Sequence, residues 1–156
     1  MAAIIGIVSM IIGSVGIFMG FYYLSSAPEK AYPIVTFSTV GIVGVLAFIR
    51  HVIFHKSDAK RLGWETDRPD WMFEVGFANL AFGLMGIAAA FYFNMIQVHT
   101  VVLFGYAIYL LQASLLHGYR YFTDAKRSPA RLWRSCMPTM LYAGMLMYFA
   151  VYSISL

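Results

Sequence analysis

Charge is scarce in this sequence of 156 residues: Asp, Glu, Lys and Arg together make up 12% of it. A soluble globular domain is about a quarter charged, and with 61% hydrophobic residues and a positive mean hydropathy the chain falls outside that class. A single cysteine, Cys136, excludes an internal disulfide and any cysteine cage for a metal, so it is read as a small buried packing residue. A basic face is also missing. The net charge of +4 comes from cations in two short segments between apolar runs, which excludes a nucleic-acid surface and points to topology signals.

What the sequence has in abundance is long apolar runs. Ala2 to Leu24 contains no charge, and at ~1.5 Å per residue such a run crosses about 30 Å of hydrocarbon. The small residues at Ser25, Ser26 and Ala27 resemble a cleavage site, but no basic segment precedes the run and Pro28 follows it, so the helix is expected to be retained. Four further runs bring the expected spans to Ala2 to Leu24, Pro33 to Phe54, Trp71 to Phe93, His99 to Tyr121 and Leu132 to Ser155. The expected fold class is therefore all-α, a polytopic bundle of five transmembrane helices in a single domain covering residues 1–156.

The segment between the second and third spans, HKSDAKRLGWETDRPD, mixes both charge signs with breakers at Gly63 and Pro69. It reads as a water-exposed loop with an amphipathic turn on the headgroups, and Asp70 as the N-cap of the third span. Thr123 to Arg131 reads as a second basic loop. Of eleven Lys and Arg residues, only Lys30 lies on the opposite side from these two loops. The positive-inside rule then places the N-terminus in the cytoplasm and the C-terminus outside, in a bacterial or archaeal cytoplasmic membrane. An odd number of spans argues against a simple inverted-repeat transporter.

Small residues recur at helical spacing. Gly16 and Gly20 form a close-approach motif, and Gly44 leads a small-residue stripe along the second span. In the third span Gly76, Asn79, Gly83 and Gly86 share one face, while Glu74, Ala78, Ala81 and Ala88 share another roughly 160–200° away. Such a helix expects protein on both sides. These glycines are assigned to packing.

Polar residues inside the spans collect at one depth: Arg50, His51, Glu74, Asn79, Gln112, His117 and Arg134. Ionisable groups in spans are costly and mark pathways, ligand sites or ion pairs. Three chemistries fit. His51, His55, Glu74 and His117 could hold a transition metal, or His51 and His117 a haem. Glu74, buried against an arginine or histidine, could handle a proton or ion by changing its charge on binding. Arg50, Arg120 or Arg134 could recognise a lipid or quinone headgroup. Against all three stands the simpler reading in which Glu74 is favoured by the positive start of its helix and the histidines and arginines are snorkelling anchors. No repeated ligand pair and no diagnostic motif selects a reaction or a cofactor.

The segment RPDWMFEVGFANLAFGLMGIAAAFYF resembles a family of small multispan bacterial and archaeal proteins of unknown function in which a Glu-Val-Gly-Phe-Ala-Asn-Leu-type motif opens a glycine-rich span. The resemblance implies that Glu74, Gly76 and Asn79 act as one unit, and it implies no activity or cofactor. The size and five-span plan are also similar to the tryptophan-rich sensory proteins, but Trp64, Trp71 and Trp133 are too few for their spans. The functional expectation is an inner-membrane protein working by helix–helix assembly through its glycine faces, as a homo-oligomer or as an accessory subunit of a larger membrane complex. The competing class is a membrane-embedded enzyme, transporter or ligand-binding protein.

Overall fold

The computed structural model describes residues 1–65, 67–123 and 132–155, without the side chains of residues 134 and 135. Among the described residues, five helices are long and apolar enough to cross a membrane. They are α1 (Ala2–Leu24), α2 (Pro28–Ile53), α4 (Asp70–Phe91), α5 (Ile96–Thr123) and α6, whose regular part is Met137–Tyr152. A short polar helix, α3 (His55–Leu62), lies between the second and third. The all-α, five-span class expected from the apolar runs is the class observed, and the chain is an integral membrane protein. It divides into two compact units, Met1–Val102 and Leu103–Leu156, with the boundary inside α5.

The helix limits differ from those expected, each for a local reason. Helix α2 begins at Pro28 rather than Pro33, because a proline in the first turn gives up no hydrogen bond and Glu29 complements the helix start. Ala31 and Tyr32, which precede the expected span, are fully buried. Pro33 sits inside the helix, where its ring crowds the carbonyl four residues back. Beyond it the backbone widens into a π-helix over Thr36–Ile42, returns to α geometry over Val43–Phe48, and widens again over Ile49–Ile53. Asp70 is the first residue of α4 rather than its cap; Pro69 occupies the cap position. Helix α4 stops at Phe91, short of Phe93, and α5 starts at Ile96, ahead of His99. The last span opens with a π-turn, Leu132–Cys136, before Pro138. Most of the expected second basic loop, with Lys126, Arg127 and Arg131, lies outside the described residues.

In the first unit the glycines join the chain's own helices. A Cβ on Gly44 would stand 2.7 Å from the Asn79 carbonyl oxygen and 2.9 Å from the Gly83 Cα; one on Gly86 would stand 2.7 Å from the Gly41 nitrogen. Helices α2 and α4 therefore touch backbone to backbone, which only glycine allows. Gly16 of α1 receives the Ser38 side chain in the same way, Gly76 receives Val52, and Gly20 is buried. The close approach at these glycines is made within one chain. The opposite face of α4 is open at Glu74, Phe77, Ala81, Leu84 and Met85.

The second unit buries Leu103, Tyr106, Ala107 and Ser114 of α5, and Ala143, Leu146, Phe149 and Ala150 of α6. Ser114 donates to the Cys136 carbonyl at 2.9 Å, satisfying a backbone acceptor of the wide turn before Pro138. Cys136 is free and buried.

Candidate functional site

The second π-segment of α2 carries Arg50 and His51. Immediately after it, the backbone bends at Phe54 (φ −106°, ψ 28°), and α3 runs back against the bundle until Gly63, at φ 70°, ends it in a left-handed turn. This elbow brings Asp58 under the residues seven and eight positions before it. Asp58 is 0% exposed. Its Oδ1 meets Arg61 Nη2 at 2.8 Å and Arg61 Nε at 2.9 Å, and lies 3.7 Å from Arg50 Nε. Its Oδ2 lies 2.9 Å from His51 Nδ1.

The His51–Asp58 approach is short but not collinear, since neither Nδ1 nor Oδ2 has an aligned hydrogen-bond partner; it acts as attraction between the ring dipole and the carboxylate. Arg50 Nη2 donates to His51 Nε2 at 3.2 Å, and a guanidinium has no acceptor, so Nε2 offers a lone pair and Nδ1 carries the proton. His51 is therefore neutral in this arrangement. Burial alone pushes the Asp58 carboxyl up. That is overcome by His51 and by the charges of Arg50 and Arg61, which hold it at about 2. One carboxylate between two guanidiniums leaves the cluster at +1.

Of the residues singled out from sequence, Arg50 and His51 come together here. Glu74 does not join them, and the reason is angular. Gly76 faces Val52 and His51, and two residues earlier on a helix is about 200° around, which leaves Glu74 exposed on the open face. His55 turns along its own backbone, its Nδ1 at 2.9 Å from the Val52 carbonyl and its ring edge-on to Phe73. Asn79 is buried in the glycine seam and donates from Nδ2 to the Val75 carbonyl at 2.8 Å. Gln112 is exposed and His117 half-buried, both on the part of α5 in the second unit. The Arg134 side chain lies outside the described residues. Among the described residues no three His, Cys, Asp or Glu side chains converge as a metal site would require.

Asp58 and Arg61 were missed because their segment was read as a loop. The available signal was the i, i+3 Asp58–Arg61 pair in a run that a glycine terminates. A second buried polar site was also missed. His99, 1% exposed, is bracketed by Thr36 Oγ1 at 3.1 Å from Nδ1 and Asn94 Oδ1 at 3.1 Å from Nε2. Because the amide oxygen only accepts, Nε2 carries the proton and Nδ1 accepts from the Thr36 hydroxyl. The bracket ties the first π-segment of α2 to the start of α5. His99→Leu is expected to cost about 1–3 kcal/mol by stranding the buried Thr36 hydroxyl; thermal unfolding in detergent against wild type measures it, and an unchanged midpoint would refute the role.

Both polar sites sit on π-segments of one span, a placement common for functional residues. The family comparison covers nearly all of this framework. The chain belongs to DUF6790, a family of unknown function, matched over residues 1–154. The match extends far beyond the Glu74–Asn79 motif to include both π-segments and the Asp58 elbow. No curated protein and no solved structure matches the chain.

Proposed function

We propose that the protein works without chemistry of its own, by associating with other membrane helices through the outer face of α4, as a homo-oligomer or as a subunit of a larger complex in a cytoplasmic membrane. One observation supports this above others. Glu74 stands exposed one turn into a membrane span, on a face of small residues that includes Ala78 and the exposed Ala81. The glycine face of the same helix is already consumed by α2. A carboxylate at such a place is costly in lipid, by ~2.5–3.5 kcal/mol at a span centre and less near its ends, and small residues beside it let another helix come close enough to satisfy it. In this reading Glu74 is the polar anchor of the contact, and Ala81 its point of closest approach.

Ala81→Leu tests it. The leucine would enter open space on the chain's own structure, so stability should hold while association is lost. Light scattering of the protein in detergent is expected to show wild type above monomer mass and Ala81→Leu at monomer mass. A wild type that is already a monodisperse monomer and retains no partner on purification would refute the proposal.

A further inference from the structure

The elbow between α2 and α3 holds more positive charge than its one carboxylate neutralises, and it does so at the edge of the apolar stretch. Arg61 gives Asp58 its Nε and one Nη2 proton. A guanidinium has five N–H donors, so three remain, on a side chain that is 30% exposed. Ser57, one turn before Arg61 on the same face of α3, accepts from the Ala2 backbone N–H at 3.3 Å. Its own O–H is left to give. That bond sets the start of α1, a 23-residue helix with no acidic residue in its first turn, against α3. The partial positive charge of that helix end adds to the excess of the cluster. Asp58, fully buried, is then an internal counter-ion that fixes the guanidinium fork.

Depth decides what anion meets these donors. The apolar run of α2 ends at Ile53 and polar α3 begins at His55. Just past α3, Trp64 and Trp71 pack ring to ring, centroids 5.5 Å apart, and tryptophan concentrates at headgroup level. A lipid phosphate occupies that level in every membrane. We propose that Arg61 and Ser57 form a seat for the phosphate of an anionic lipid headgroup, with Asp58 holding Arg61 in place. The inference is independent of the assembly reading, since it uses another face and other residues.

The test titrates the purified protein, carrying Trp133→Phe so that its fluorescence comes from the Trp64–Trp71 pair, in detergent with short-chain phosphatidylglycerol, short-chain phosphatidylcholine and inorganic phosphate. Phosphatidylglycerol is expected to bind roughly tenfold more tightly than phosphatidylcholine, whose phosphate is the same but whose choline cation is repelled by the net positive charge of the cluster. Arg61→Gln should abolish that preference. Ser57→Asp, which leaves every partner of Asp58 in place and sets a carboxylate in the seat, should abolish it too, and decides the matter if Arg61→Gln fails to fold. Equal binding of the two lipids, or a preference that survives Ser57→Asp, would overturn the proposal. Inorganic phosphate that binds as tightly as phosphatidylglycerol and displaces it would overturn the lipid as the source.

Discussion

Replacing Asp58 by asparagine is expected to destabilise the protein by about 3–5 kcal/mol, because it leaves two guanidiniums facing each other across a neutral amide in a buried site. Asp58 has no solvent exposure and engages residues on both α2 and α3, so the loss should appear as release of α3 from the bundle before the spans themselves separate. Limited proteolysis at Lys60 and Arg61, together with thermal unfolding in detergent, reads both effects. The same residue sets an acid limit. Its pKa is depressed from 3.8 to about 2, so its contribution is fully present above 3.8 and is lost as the pH falls through 2. Wild type should therefore lose stability over that window, and Asp58→Asn, already lacking the charge, should show a smaller change there. Equal acid sensitivity in the two proteins would show that the cluster does not hold the elbow. The depression also means that Asp58 remains a fixed charge near neutral pH rather than a proton carrier.

The second large effect is expected at Gly44. A methyl group there would meet the Asn79 carbonyl oxygen at 2.7 Å and the backbone of Gly83 at 2.9 Å. Both obstacles are backbone, so no side-chain rotation relieves the clash and the two helices must move apart. Gly44→Ala is expected to cost about 3 kcal/mol, the upper part of the usual range for overpacking, and Gly44→Leu to prevent folding. Helices in lipid gain no hydrophobic free energy from meeting each other, so the lost close contact has no substitute. Gly144→Ala in the second unit provides the control: nothing lies within 4 Å of a Cβ built there, so the unfolding midpoint should not fall below wild type. If Gly44→Ala unfolds at the wild-type temperature, the seam is looser than the structure has it.

The pair Gly44 and Ala81 also shows how far sequence reasoning reached. Both belong to small-residue stripes, and spacing alone assigns each to a helix face. Spacing does not say whether the neighbour of that face is another helix of the same chain. Periodicity is a property of one helix, whereas the partner is chosen by the connections between helices. For the polar residues the failure was sharper. Glu74 drew attention because a carboxylate in an apolar run is conspicuous, while Asp58 was hidden among eight other charged residues from position 50 to position 70. Burial separates the two, and burial is set by the fold-back of α3 after the bend at Phe54.

By itself, then, the sequence determined that the chain crosses a membrane five times, because a span must carry an apolar residue at nearly every position and that requirement can be read without knowing any contact. It determined as well that glycine would line the face of α4 that meets another helix. Only the tertiary structure decided which charges meet. Arg50, His51, Asp58 and Arg61 become one site through a π-turn, a bend and a short helix, features whose free energies come from neighbouring elements rather than from the residues that adopt them.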